Sequence, residues 1–434
     1  MKRTKIQQLP TLIGHQVKIS GWVNTIRDQG SIKFLLIRDD SGLVQVVVDN
    51  NNKEIADKLT HESVVTVYGE LKDVPQAPNG YEILAEKVEI LSLAHTPLPI
   101  AVVEKGGKEP EQPIRLDWRF IDLRKPRNQL IMQIWTTFEK AFFEFLVEKG
   151  FTEIHSPKLM STPSESGAEL FEVKYFDRKA YLSQSPQFYK QMGIASGFEG
   201  VFEIGPVFRA EPSFTTRHAT EFTGYDLEFA YVESHQDVLS LEEDLLIHMF
   251  SKIKEAHDEK IKELFGTEVE IPSKPFVQIP LREVKEILKK EGVESKEDDN
   301  ISPEEEREIS KYVKDKYGHD FVAVTEYPIN VRPFYHMRLE KGSGFTKSYD
   351  LIYRGIEITT AAQREHRYDV LVSQAEEKGM NLESLEYYLN FFKYGCPPHG
   401  GMGLGPARII MKMLGLPNIR EVTFLHRGVN RLKP

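Results

Sequence analysis

Apolar positions change their spacing along the chain, and the changes mark out elements. They alternate with polar ones over residues 16–27, and again over 31–48 on both sides of Asp40-Ser41-Gly42, a hairpin composition. Two more alternating runs, 63–72 and 81–91, are separated from the first by 52–60, which has helical spacing. Residues 96–116 are rich in Pro, Gly and charge and read as a hinge. From residue 129 a long amphipathic helix runs to Gly150, its C-cap, and a strand ends at Pro157. The runs 201–211 and 221–232 carry the β-branched and aromatic content of paired strands around a short polar loop. Residues 235–258 read as helix and 296–318 as a charged helix on the surface. Two strands, 348–355 and 356–365, then two helices and the glycine-rich 397–408 complete the chain.

Five strands and a helix at the N-terminus suit an all-β Greek-key barrel of the oligonucleotide-binding (OB-fold) type. Beyond it, strands come in antiparallel-looking pairs, which predicts an α+β domain with an antiparallel sheet flanked by helices. The expected division is a barrel over 1–100, a hinge over 101–128 and a large domain over 129–434, with a helical insertion at about 255–325. Composition changes little. The single cysteine, Cys396, excludes an internal disulfide and a cysteine-based metal cluster. No run approaches about 18 apolar residues, so a cytoplasmic protein with no membrane segment is expected. The formal charge of −10 leaves a locally basic nucleic-acid face open, because net charge acts at long range.

The richest chemistry lies around the polar loop. Arg209 and Glu211 stand on its first arm, Arg217, His218, Ala219 and Phe222 on its second, and two arginines held this way could grip a triphosphate from two directions. Asp350 and Glu357 flank a turn at Arg354-Gly355, and taken alone two acids seven residues apart read as ordinary surface groups.

Three pieces in order carry a resemblance: a helix and strand ending in Pro157, Phe208-Arg209-Ala210-Glu211 with its loop, and Gly403-Leu404-Gly405-Pro406-Ala407-Arg408. They resemble the three signature motifs of class II aminoacyl-tRNA synthetases, and with the barrel the whole chain is similar to the archaeal-type aspartyl-tRNA synthetases. The resemblance implies a homodimer joined through the first motif. It implies ATP bound by Arg209 at the α-phosphate, Glu211 at the adenine amino group, Arg217 and His218 at the γ-phosphate and Phe222 under the base. Ala219, Glu357, Gly405, Pro406, Ala407 and Arg408 complete the ATP set, with Arg209 and Arg408 catalytic. Mg2+ would be held by Glu357, Thr360 and Asp350, and the glycines at 400, 401, 403 and 405 would bring backbone close to the nucleotide.

The same resemblance places L-aspartate against Glu165, Gln187, Lys190, Arg209, Asp226, Thr360 and Arg364. Lys190 and Arg364 would surround its side-chain carboxylate, Gln187 and Asp226 its ammonium, and Glu165 would lie on a closing loop. An ammonium has only donors and matches a carboxylate, whereas the NH₂ of asparagine would meet it donor to donor. Two departures stand out. Thr360-Ala361-Ala362 stand where relatives read Ser-Gly-Gly or Ser-Gly-Ala, and the added methyls would narrow the pocket floor; Ala407 replaces an acid that normally precedes and orients Arg408.

In the barrel, Phe34, Gln45 and Glu82 match positions that stack on or bond to anticodon bases, and Arg27 one that contacts backbone. Pro78 and Asn24 stand where members strict for tRNA(Asp) carry lysine and tryptophan, which implies that tRNA(Asn) is charged as well. An asparaginyl-tRNA synthetase, a non-catalytic RNA-binding paralogue and a free-standing asparagine synthetase are the alternatives. The four arginines 209, 217, 364 and 408 speak against the second, and the barrel against the third.

Overall fold

The computed structural model describes residues 1–103, 109–161, 170–213, 215–340 and 343–434. Glu165 lies outside these residues. The chain divides into two compact units, Met1–Gln129 and Leu130–Pro434.

The first unit is a closed barrel of β1 (Gln16–Asp28), β2 (Lys33–Asp39), β3 (Gly42–Val48), β4 (Val64–Asp73) and β5 (Tyr81–Ser92), in the order β1-β2-β3-β5-β4. Alternation decides which side chains enter it: Val17, Ile19, Val23, Leu35, Ile37, Val44, Val46, Val67 and Ile83 fill the core. Their neighbours Phe34, Gln45, Val47 and Glu82 therefore lie on the outer face of β2, β3 and β5. Asn24 falls where the β1–β2 register slips between Val23 and Thr25, a bulge that the alternation alone does not reveal.

The segment expected as a hinge is partly built structure. It contains helices Gln112–Asp117 and Arg119–Asp122, with Asp122 fully buried between Arg119 (2.7 Å), Lys125 (3.3 Å) and Arg115 (3.7 Å). Arg124 donates to Glu62 at 3.0 Å, and Glu62 in turn receives Arg38 at 2.8 Å.

In the second unit the strands are β6 (Thr152–Glu153), β7 (Leu159–Met160), β8 (Glu172–Tyr175), β9 (Arg178–Leu182), β10 (Gly200–Phe208), β11 (Glu221–Ala230), β12 (Val277–Pro280), β13 (Phe321–Thr325), β14 (Ser348–Tyr353), β15 (Ile356–Arg364) and β16 (His399–Leu404). Eight of them form one sheet in the order β12-β13-β14-β15-β16-β11-β10-β6. Its centre is antiparallel as expected, but the pairs β10–β6 and β12–β13 at the two edges are parallel. The helices Pro126–Glu148 and His235–Phe265 contribute Phe138, Phe142, Leu246 and Phe250 to a core shared with Tyr225, Leu227, Tyr349 and Leu351 of the sheet.

Three expectations change. The strand expected to end at Pro157 pairs only over Thr152–Glu153, because Ser156 turns its backbone N–H and its hydroxyl to the Glu203 carboxylate at 3.0 and 2.6 Å. The insertion at 255–325 is not helix alone: it supplies β12 and β13 and the helices Leu281–Lys290 and Pro303–Tyr317, around a small core of their own. Its charged helix is not wholly on the surface either, for Glu305 and Glu306 are buried.

Candidate active site

A cavity of about 280 Å³ opens over β11, β15 and β16. It is lined by Gln187, Arg209, Glu211, Arg217, His218, Ala219, Phe222, Asp226, Glu357, Thr360, Arg364, Gly405, Ala407 and Arg408 among others. One cavity therefore gathers most of the residues expected to bind nucleotide and amino acid. Pro406 is buried in the first turn of helix Pro406–Met413 and does not line it.

Register explains the gathering. Pairing of Phe208 with Glu221 closes the β10–β11 hairpin, and Arg209 continues it by bonding its N–H to Thr220 O at 2.9 Å. The Arg209 guanidinium lies over the Phe222 ring, 5.6 Å from its centroid. Arg217 sits on the connecting loop rather than on a strand arm, so the strands do not fix it. Its guanidinium is held instead by Glu306, which accepts from both terminal nitrogens at 2.8 and 2.9 Å. His218 bonds Thr215 Oγ1 at 2.7 Å, and burial, helped by Arg408, Arg217 and Arg209, lowers it to about 4, so the ring is neutral at neutral pH.

β14 and β15 meet through a two-residue turn whose Arg354 and Gly355 both have positive φ, 46° and 79°. This puts Asp350 opposite Thr360 in the ladder. Thr360 donates to Asp350 Oδ1 at 2.9 Å and lies 3.4 Å from Glu357 Oε1. Asp350 is not free, as its other oxygen is paired with Arg332 at 2.7 Å. Burial raises the Asp350 carboxyl against the pull of Arg332. Burial would raise Glu357 too, but Arg408, Arg217, Arg332 and Arg209 together hold it below its ordinary value. Arg408 is oriented without the missing acid at 407: it donates to Glu357 O at 2.8 Å and lies 3.6 Å from Glu357 Oε1.

At the other end of the cavity four charges are buried together. Arg364 donates to Glu228 at 2.8 Å, to Gly401 O at 3.1 Å and to Gln187 Oε1 at 3.2 Å, with His336 Nε2 at 3.0 Å. Lys190, 0% exposed, pairs with Asp226 at 2.8 Å and donates to Met402 O at 2.9 Å. Its ammonium therefore does not line the cavity beside Arg364 but lies behind Asp226, because the helix Gln187–Ala195 packs that face on β11. Asp226 and Glu228 lie two residues apart and share a face of β11.

Gly403 and Gly405 line the cavity, and the glycines of β16 have a further role. A Cβ at Gly401 would stand 2.2 Å from Leu227 O and 2.4 Å from Glu228 Oε2, and one at Gly403 would stand 3.2 Å from Asp226 Oδ1. The two glycines leave the room in which these carboxylates cross the strand. Ala361 and Ala362 are fully buried and do not line the cavity, so the expected narrowing of its floor does not come from them.

Two family models match the chain, "OB-fold nucleic acid binding domain" over residues 17–91 and "tRNA synthetases class II (D, K and N)" over residues 111–427. The chain belongs to the class II tRNA synthetases. It is 43% identical over 428 residues to an aspartate–tRNA(Asp) ligase of Pyrococcus abyssi, covering 98% of this chain and 97% of that one. An aspartate–tRNA(Asp/Asn) ligase of Methanopyrus kandleri is also 43% identical, over 432 residues, with coverage of 98% and 97%. Among solved structures, asparaginyl-tRNA synthetase from Pyrococcus horikoshii complexed with asparaginyl-adenylate superposes with a TM-score of 0.92 at 33% identity, covering both chains fully. ATP is a substrate of this family.

Sequence reasoning missed four residues of this synthetase's site. Glu228 carried a signal, its two-residue offset from Asp226 on a strand. Arg332, His336 and Glu306 carried none, since each reaches the site from an element whose position the chain order does not reveal. On the barrel, Gln45 Nε2 donates to Glu82 at 2.8 Å, while Phe34 and the exposed Arg27 pair across β1 and β2. Pro78 lies exposed in the β4–β5 connection, and Asn24 accepts from Arg38 at 2.5 Å.

Proposed function

We propose that this synthetase is an aspartate–tRNA ligase that joins L-aspartate to tRNA(Asp). The observation that carries the reading is a single cavity with Arg209, Arg217 and Arg408 at one end and the Arg364–Gln187–Asp226 wall at the other. The aspartate α-carboxylate attacks the α-phosphorus of ATP in line, giving aspartyl-adenylate and pyrophosphate. The 3′-hydroxyl of the terminal tRNA adenosine then attacks the adenylate carbonyl and releases AMP. Positioning and charge stabilisation do the work, and no protein nucleophile is required.

Arg209 holds the α-phosphate and the substrate carboxylate together, Phe222 and Glu211 hold the adenine, and Arg217, His218 and Arg408 receive the outer phosphates. Arg364 faces the side-chain carboxylate, and Lys190 contributes from behind Asp226 the charge that balances the two buried acids. Gln187 and Asp226 take the ammonium. Glu357 and Thr360 line the cavity and would hold Mg2+, which is commonly bound by one or two carboxylates and completed by substrate phosphates and water, while Asp350 stands behind them, engaged by Thr360 and Arg332. The metal would draw charge from the phosphates, and Arg332 pairs with Asp350 at 2.7 Å nearby. Exposed Phe143 and Val147, four residues apart on the helix Pro126–Glu148, offer an apolar stripe for a homodimer.

Pyrophosphate exchange with aspartate and with asparagine tests the amino acid: exchange supported by asparagine alone overturns the assignment. A second reading concerns the tRNA. Pro78 and Asn24 offer no base-reading lysine or tryptophan, and relatives of equal similarity are named for tRNA(Asp) alone and for both tRNAs. The second reading is relaxed recognition of the third-read anticodon base, with tRNA(Asn) charged as well. A preference above about 100-fold for tRNA(Asp) over tRNA(Asn) transcripts overturns it, since one good base contact is worth about 1–3 kcal/mol.

A further inference from the structure

Of the two buried acids of the inserted helix Pro303–Tyr317, Glu306 reaches the site. Glu306 is 3% exposed, and its two oxygens accept from both terminal nitrogens of Arg217 in a bidentate fork. The oxygen at 2.8 Å from Arg217 also accepts the backbone N–H of Glu357, at 2.9 Å. The same helix braces the neighbouring turn, with Ser310 Oγ accepting from Gly355 N at 3.0 Å. Glu306 does not line the cavity, so it acts only through the groups it holds.

We propose that Glu306 is a positioning residue for amino-acid activation, fixing Arg217 toward the outer phosphates of ATP and keeping it off Glu357. This rests on the reading of Arg217 as a phosphate ligand. Arg217 Nη2 already lies 3.8 Å from Glu357 Oε2. Without Glu306, that carboxylate is the nearest remaining partner for a guanidinium on a loop. Arg217 would then collapse onto the group proposed to hold the metal, and both would be lost to the triphosphate. The insertion is thus a support for the phosphate end of the site, and the amino-acid end does not depend on it. A latch that ATP must displace would use the same contacts and give the opposite kinetic sign.

The test is pyrophosphate exchange with the full-length enzyme, E306Q, E306D, R217A and the double variant E306Q/R217A. E306Q is expected to raise KM for ATP at least about tenfold and to leave KM for aspartate within about twofold, since hydrogen bonds to charged groups are each worth about 1.5–3 kcal/mol. E306D, which keeps the charge, should recover part of the loss, and E306Q should add almost nothing once Arg217 is gone. An unchanged or lowered KM for ATP in E306Q, or a full further loss in the double variant, overturns the proposal. If E306Q does not fold, E306D decides by the same criterion: KM for ATP raised with KM for aspartate unchanged supports it, and equal changes in both overturn it. Absence of aspartate-dependent exchange in the parent enzyme would instead overturn the assigned function.

Discussion

Replacing Lys190 by methionine tests how the site chooses a carboxylate. Methionine nearly matches the lysine stem in shape, so the change removes one charge and three donors from a fully buried position. In the parent protein Lys190 and Arg364 balance Asp226 and Glu228, and the Glu228 carboxyl is held below its ordinary value by those two cations against the effect of burial. After the change two acids share one guanidinium. A unit charge removed about 6 Å from a carboxylate ligand is worth about 3 kcal/mol at an effective dielectric of about 20. That corresponds to roughly a hundredfold in kcat/KM for aspartate. Asparagine is neutral at that position and feels little of it, so the aspartate-to-asparagine ratio should fall by a similar factor. The assay is pyrophosphate exchange with each amino acid, beside urea unfolding of both proteins. Unfolding should show a loss of about 3–5 kcal/mol, the usual cost of breaking a buried pair. A folded variant whose aspartate-to-asparagine ratio is unchanged refutes the charge-balance argument and leaves Arg364 as the sole selector.

Three further predictions concern other parts of the molecule. Burial pushes the Glu242 carboxyl up to about 7, although Tyr349 donates to it at 2.7 Å. The folded protein thus binds a proton there that the unfolded chain releases above 4.5, so stability present at low pH is lost as pH rises through about 7. E242Q should therefore gain up to about 3 kcal/mol over the parent at pH 8 and little at pH 5; parallel urea profiles at the two pH values refute this. F34A should raise KM for tRNA by about 10–100-fold and leave pyrophosphate exchange intact, because base stacking is worth about 1–3 kcal/mol; an equal effect on exchange would point to misfolding instead. G401A should cost at least about 2 kcal/mol in urea unfolding, since its Cβ would meet strand backbone; a neutral result would mean that β16 can move away.

What the sequence disclosed follows from how each interaction is encoded. The barrel was legible because strand period and core are one pattern: Leu35 and Ile37 point inward, so Phe34 and Leu36 must point outward. The second-motif hairpin was legible for the same reason, and so was the gathering of Arg209, Phe222 and Asp226 along β10 and β11. Lys190 was legible as chemistry but not as geometry. Its place behind Asp226 is set by how the helix Gln187–Ala195 packs on β11, and that packing uses Phe188 and Ile194 no differently from any apolar helix face. Glu306 was the hardest to see. The run 302–306 announces a capped helix start, Ser302 bonding Glu305 N, and nothing distinguishes the outward Glu304 from the buried Glu306 until the partner strands are known. A charged run has the same composition whether its acids face water or an arginine. The edge strand β12 and its neighbour β13 tie the insertion to the main sheet and turn that helix toward Arg217. The residues hidden from the sequence are thus those whose partners lie across the insertion, where a support for the phosphate end of the site is also the easiest to overlook.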